Sequence, residues 1–177
     1  MKVVNGVIEG VRLYSHEPHI DVRGRFTRLF CAESMSQQGN EFSSCQINLS
    51  ENPSRGVLRG FHYLEEQCGE SKILTCLTGR IFDVVIDLRR NSPTYLQHES
   101  FLLSNGPGRN QLCVPAGCAN AFLTLDDDTN VLYFHSAYYD ARFERGIRYD
   151  DPAFSIIWPF KPLVISQKDL EFPKFSP

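Results

Sequence analysis

Between residues 56 and 139 apolar and polar residues alternate in short runs broken by turn residues. In Arg80-Ile81-Phe82-Asp83-Val84-Val85-Ile86-Asp87-Leu88, Phe82, Val84, Ile86 and Leu88 fall on one side, and Ile81, Asp83, Val85 and Asp87 on the other. That period of two is the one a β-strand imposes. Further strands are predicted at 56–64, 72–77, 95–103, 111–114, 121–125 and 131–139. Turn signals separate them: Thr78-Gly79, Asn91-Ser92-Pro93, Asn105-Gly106-Pro107-Gly108, Pro115-Ala116-Gly117 and Asp126-Asp127-Asp128. Strands so closely spaced, with no helices between them, predict an antiparallel sandwich or barrel. Helix is expected only at 32–38 and from Ser166-Gln167-Lys168-Asp169 onward. No domain boundary is visible, so 1–177 reads as one domain whose first 50 and last 30 residues wrap a central β-fold.

Composition narrows the function classes. A chain of 177 residues can bury a full core. The net charge of −3 argues against a nucleic-acid binder, so an anionic ligand must be met by local cations. There is no apolar run of membrane-spanning length and no basic-then-apolar leader at Met1-Lys2-Val3-Val4, which predicts a cytoplasmic protein with no membrane association. Cys31, Cys45, Cys68, Cys76, Cys113 and Cys118 show no C-x-x-C spacing and sit mostly in apolar segments. Reduced, buried thiols are expected rather than a disulfide framework or a zinc site.

The candidate chemistry is a base, a phenol and a lysine on apolar strands: His62 in Arg59-Gly60-Phe61-His62-Tyr63, then Lys72, Asp83, Tyr133 and Tyr139. Moving a proton beside a carbonyl requires a base on one face, an acid on the other and a cation for the growing negative charge. Taken singly, each residue also reads as an ordinary core or surface position. In a strand over 131–139, Val131, Tyr133, His135, Ala137 and Tyr139 share one face; His135 reads there as a residue at the solvent rim. A catalytic metal in a β-barrel needs several converging histidines, commonly two of them one residue apart. The position two after His62 is Leu64, and the other histidines are scattered at 16, 19, 98 and 135. Metal-free chemistry with no cofactor is therefore expected.

Ordered segments along nearly the whole chain resemble the dTDP-4-dehydrorhamnose 3,5-epimerase family of deoxysugar nucleotide epimerases. They are Asp21-Val22-Arg23-Gly24-Arg25-Phe26, Gln46-Ile47-Asn48-Leu49-Ser50, Gly56-Val57-Leu58-Arg59-Gly60-Phe61-His62-Tyr63, Lys72, Gly79 to Arg89, Ser92-Pro93-Thr94-Tyr95, Val114-Pro115-Ala116-Gly117, Asp151-Pro152, Trp158-Pro159 and Ser166-Gln167-Lys168-Asp169. The resemblance implies an all-β, cupin-like jelly-roll β-barrel with short peripheral helices. It also implies a homodimer, with the arm at about 1–50 wrapping or swapping onto the partner. The implied activity is inversion at C3, C5 or both of a nucleotide-diphosphate 4-keto-6-deoxy sugar.

By the same resemblance His62 is the general base and Asp169 the carboxylate that orients it, although Asp169 also reads as a cap of the terminal helix. Lys72 corresponds to the cation over the enolate oxygen, with a solvent-facing strand lysine as the alternative. Tyr133 corresponds to the acid on the opposite face and Tyr139 to the aromatic that stacks on the base of the nucleotide. Arg59 and Arg23 correspond to diphosphate-binding arginines, Arg23 reaching in from the partner subunit; a surface pair with Asp21 is its alternative. Gln46, Asn48, Glu144 and Lys168 match ligand-contact positions, or are simply polar surface.

The chain departs from the family pattern at Asn120, where a histidine is usual in the pocket. It departs again at Leu64 and Glu70, where glutamines are usual, and at Arg28, where a glutamate is usual near the nucleotide. These departures leave open which sugar and nucleotide are bound and how many centres are inverted. A single-centre epimerase and a catalytically silent sugar-nucleotide-binding protein remain the alternatives.

Overall fold

The alternating segments pair into two facing antiparallel sheets. The structure, a computed structural model, describes residues 2–106 and 110–176. Among these residues the strands are β1 (Lys2–Asn5), β2 (Arg12–Ser15), β3 (His19–Asp21), β4 (Gly24–Phe26), β5 (Gln46–Asn52), β6 (Val57–Leu64) and β7 (Lys72–Thr78). They continue with β8 (Arg80–Asp87), β9 (His98–Ser104), β10 (Asn110–Val114), β11 (Cys118–Thr124), β12 (Thr129–His135), β13 (Glu144–Gly146) and β14 (Val164–Ile165). The helices are short: α1 (Ala32–Ser36) and α2 (Gln167–Leu170). One sheet has the order β1-β2-β10-β7-β12-β5, the other β13-β6-β11-β8-β9, and β3 pairs with β4 in a separate hairpin. The result is an all-β jelly-roll sandwich. Among the described residues no strand pairing joins the two sheets into a closed barrel.

The inner faces meet in a core that includes Leu74, Leu112 and Val131 from the first sheet and Ile81, Val85 and Phe122 from the second. The outer faces are covered too. Phe61, Val84, Ile86, Ala119 and Ala121 pack under Ile147 and Phe154, with Trp158 against them. Tyr14, Ile73, Cys113 and Phe134 pack under Met35 and Phe42. Coverage on both sides explains why β11 is buried along its whole length rather than alternating. Of the cysteines, all free thiols, Cys76, Cys113 and Cys118 are buried, and burial pushes the Cys118 thiol up to about 12. Cys45 is exposed and Cys31 and Cys68 are only partly buried, so the expectation of buried thiols does not hold for these three.

Several boundaries differ from those predicted. The strand expected at 95–103 begins only at His98, because Leu96 takes a positive φ of 63° and its N–H returns to the Asp87 carbonyl. The strand expected at 121–125 starts at Cys118, directly after the Pro115-Ala116-Gly117 turn. The strand expected at 131–139 ends at His135, so Tyr139 is not on it. Part of one turn signal, Pro107-Gly108, lies outside the described residues.

Two local features set the positions of His62 and of the C-terminal helix. Gly60, with φ of 113°, lets β6 close on β11: a Cβ there would lie 2.6 Å from the Asn120 carbonyl oxygen and 2.7 Å from Ala121 Cα. Along the same strand, β14 adds to β6 in parallel, Val164 opposite Val57 and Ile165 opposite Leu58, and delivers α2 against β6.

Candidate active site

A cavity of about 240 Å³ opens between the two sheets, and strand register decides what lines it. From the second sheet come Arg59 and His62 on β6, with Asn120 of β11 directly opposite His62 in register. The first sheet contributes Lys72 of β7, Tyr133 and His135 of β12, and Asn48 of β5. His135 lies opposite Lys72, and Tyr133 opposite Asn48. Glu70, Tyr139 and Glu144 complete the rim.

His62 Nε2 and Asp169 Oδ1 are 2.9 Å apart. The other oxygen of Asp169 accepts from the Gly60 N–H at 3.0 Å. The cap of α2 is Ser166, whose hydroxyl accepts from the Asp169 N–H at 3.1 Å, so the Asp169 side chain is left for the imidazole. Burial works against the Asp169 charge, but the His62 and Gly60 hydrogen bonds outweigh it and hold its pKa below the usual carboxylate value.

Lys72 is not a solvent-facing lysine; it is 8% exposed. Its ammonium donates to the His62 carbonyl at 3.3 Å and lies 3.5 Å from Glu70. Tyr133 packs its ring beside Phe122 and stacks on His135 with an interplanar angle of 15°. Burial and the nearby Asp83 raise its phenol well above the ordinary value, with Arg59 opposing. Asp83 itself is fully buried. It accepts from the Asn120 amide at 3.3 Å on one oxygen, while its other oxygen has no hydrogen-bond partner. Burial pushes its pKa well above the ordinary carboxylate value.

At the rim, Tyr139 reaches the cavity from the turn after β12 rather than along the strand. Its N–H donates to Gln46, its hydroxyl donates to Glu144 at 2.6 Å, and Lys168 donates to the same Glu144 oxygen at 2.6 Å. Gln46 in turn donates to Asn48 at 3.2 Å. Arg59 is held by Asn52 at 2.9 Å.

The structure thus brings together His62, Lys72, Tyr133, Asp169, Arg59, Asn48, Asn120, Tyr139 and Glu144, with Gln46 and Lys168 just behind. Arg23 and Arg28 are not among them. Arg23 sits on the exposed β3–β4 hairpin and pairs with Asp21. Arg28 lies beside His16, His19 and Phe26, outside this cavity. Sequence reasoning missed Glu70 and His135 as a pair and placed His135 at the solvent rim. The spacing carried the signal, since His135 is two residues from Tyr133 and Glu70 two before Lys72.

Among the described residues no group of three or more His, Cys, Asp or Glu side chains could hold a metal ion, and no helix is long and apolar enough to cross a membrane.

Comparison with known proteins gives a consistent result. The family profile described as dTDP-4-dehydrorhamnose 3,5-epimerase matches residues 5–177. A dTDP-4-dehydrorhamnose 3,5-epimerase of Sinorhizobium fredii is 37% identical over 167 residues, covering 94% of this chain and 85% of that one. The crystal structure of the Bacillus anthracis dTDP-4-dehydrorhamnose 3,5-epimerase with TDP and PPi bound superposes with a TM-score of 0.94 at 32% identity, covering 98% and 99% of the two chains. A 3'-monoepimerase from Streptomyces bikiniensis in complex with dTDP-quinovose superposes at 0.88 with 34% identity, covering 96% and 86%. With the match spanning nearly its whole length, this chain belongs to the dTDP-4-dehydrorhamnose 3,5-epimerase family.

Proposed function

We propose that this chain inverts carbon centres beside the ketone of a dTDP-linked 4-keto-6-deoxy sugar, removing a proton on one face and returning one on the other. The observation that carries the reading is His62 on one sheet, bonded to Asp169 of α2, with Lys72 and Tyr133 of the other sheet lining the same cavity. An α-proton is too weakly acidic for a free imidazole to remove quickly. A base whose partner fixes the ring and stabilises its cation changes that. The Lys72 ammonium, largely withdrawn from water, meets the enolate oxygen as charge develops there. Tyr133 stays protonated at neutral pH, because burial and Asp83 both disfavour its anion, so it is a donor. Two groups on opposite faces of a planar enolate give inversion; one group alone gives only exchange.

On this reading Tyr139, Glu144, Lys168, Gln46 and Asn48 receive the nucleotide end, Arg59 meets the diphosphate and Asn120 contacts the sugar. Support for a thymidine diphosphate comes from the Bacillus anthracis relative, whose structure holds TDP and PPi. Arg23 completes the neighbouring site of a homodimer, carried there by the arm at about 1–50. The β3–β4 hairpin supports this by exposing Ile20, Val22 and Phe26 beside Arg23. No cofactor or metal takes part.

The test is the His62→Ala variant with dTDP-4-keto-6-deoxyglucose in D2O. Both inversion and deuterium uptake at the carbons flanking the ketone are expected to vanish. Uptake at near wild-type rate would remove His62 from the base role.

A further inference from the structure

The rim of the cavity and the base are joined by a continuous set of contacts through the C-terminal helix. One carboxylate oxygen of Glu144 accepts from the Tyr139 hydroxyl and from the Lys168 ammonium, both at 2.6 Å. Lys168 precedes Asp169 on α2, and Asp169 bonds His62 at 2.9 Å. The path from rim to imidazole is therefore Tyr139, Glu144, Lys168, Asp169, His62. Burial opposes the Glu144 charge, but the hydrogen bonds from Lys168 and Tyr139 outweigh it and keep its pKa below the ordinary value. Glu144 is itself fixed by β13, where it lies opposite Leu64 of β6.

The helix needs such a tether. It has four residues and little stability of its own. A second cavity, of about 380 Å³, opens between it and β6, lined by Leu58, Arg59 and His62 on one side and by Ser166, Lys168 and Asp169 on the other. The helix thus has room to drift from the base. Just beyond it, Phe172 rests on Gly146, where there is no room for a Cβ, and meets the His62 ring edge-on with centroids 5.6 Å apart. Drift of the helix loosens both contacts to the imidazole.

With the cavity open to water the tether is weak. The Lys168 side chain is 57% exposed and Tyr139 is 55% exposed, and an ion pair open to water contributes little. The same pair withdrawn from water is much stronger. We propose that Lys168 is a positioning residue that couples the nucleoside end of the substrate to the base. A nucleoside base laid on Tyr139 shields the Lys168–Glu144 pair from water, and the tightened pair holds α2, and with it Asp169 and His62, in the reactive geometry. The inference rests on the proposed epimerase function and adds what the nucleoside does for turnover.

The experiment divides the substrate. Deuterium uptake at the carbons flanking the ketone is followed by NMR in D2O, for dTDP-4-keto-6-deoxyglucose and for 4-keto-6-deoxyglucose 1-phosphate with and without added thymidine. Wild type is expected to label the sugar phosphate slowly, and about tenfold faster with thymidine, because binding energy remote from the reacting carbon is then spent on positioning. In Lys168→Met thymidine gives no acceleration. With the complete substrate that variant loses about tenfold in kcat, less than the roughly 100-fold of a 1 Å misplacement, since Asp169 keeps its bonds to His62 and Gly60. Lys168→Arg, which can still pair with Glu144, retains both kcat and the acceleration. A loss confined to KM makes Lys168 a binding contact only and overturns the proposal. So do equal acceleration in Lys168→Met, no acceleration of wild type, or a loss in Lys168→Arg as deep as in Lys168→Met. No uptake by wild type from the complete substrate would instead overturn the underlying function.

Discussion

Asp169 and Asp83 are both carboxyl groups withdrawn from water near one cavity, yet their surroundings drive them in opposite directions. Asp169 has donors on both oxygens and its pKa is held below the ordinary value; Asp83 has one weak amide donor and an unpartnered oxygen, and burial raises its pKa. The consequences for stability have opposite signs. Asp169, with its pKa depressed, contributes stability that is present above the unfolded value of roughly 3.9 and is lost as pH falls toward the folded one. Asp83, with its pKa raised, loses the fold stability as pH climbs from roughly 3.9 upward, because the unfolded chain ionises first. Asp83→Asn should therefore become progressively more stable than wild type from pH 5 to pH 8 in urea melts; parallel pH profiles would refute the raised pKa. Tyr133→Phe keeps the ring packing and removes only the hydroxyl. It should still exchange deuterium while inversion at the centre it serves drops by about 100-fold. If it loses exchange as completely as His62→Ala does, the division between base and acid is wrong. That His62, Lys72, Tyr133 and Asp169 come together was legible in the sequence because their segments are contiguous or fixed to strong strands. The Glu70–His135 pair was not, since it depends on the β7–β12 register and on a residue just ahead of β7.

At the scale of elements, the orientation of His62 depends on α2, and α2 depends on the parallel addition of β14 to β6. A helix this short has little intrinsic stability, so its Ser166 cap matters. Ser166→Ala should cost about 1 kcal/mol and lower turnover only modestly, because Asp169 keeps its bonds to His62 and Gly60. Asp169→Asn should lower turnover far more, and should lower the melting temperature as well, because the ionised carboxylate contributes stability at neutral pH. Equal turnover losses in the two variants would mean that placing the helix, rather than the carboxylate charge, is what matters. The helix start at Ser166 was readable from its capping pattern. Strand ends were less so: alternation continues from Val131 to Tyr139, but pairing stops at His135, where Ser71 captures the next residue through its carbonyl and its N–H. Periodicity records which face a residue prefers, not where its partner strand runs out.

For the whole molecule, the sandwich leaves β5 at a sheet edge with Ile47 and Leu49 exposed, and the hairpin displays Val22 and Phe26. Apolar surface on a free edge calls for a partner, and a two-fold dimer covers both copies with one interface. Sedimentation should give a dimer at micromolar concentration. If Arg23 serves the neighbouring site, mixing the His62→Ala and Arg23→Ala proteins should restore activity at low substrate, since each mixed dimer then has one intact site. No gain on mixing would confine Arg23 to its own hairpin. The sandwich class was legible from alternation and turn spacing. The covered outer faces were not, because the residues that cover them lie in segments with little periodicity.

Asp169 comes 107 residues after His62, and every strand from β1 to β13 is synthesised before it. A nascent or prematurely terminated chain can therefore assemble its sheets with the imidazole still lacking its carboxylate. If Asp169 orients the base, turnover then reports finished translation. A protease nick between Trp158 and Ser166 offers the same test: if Asp169 orients the base, releasing the tail should stop turnover.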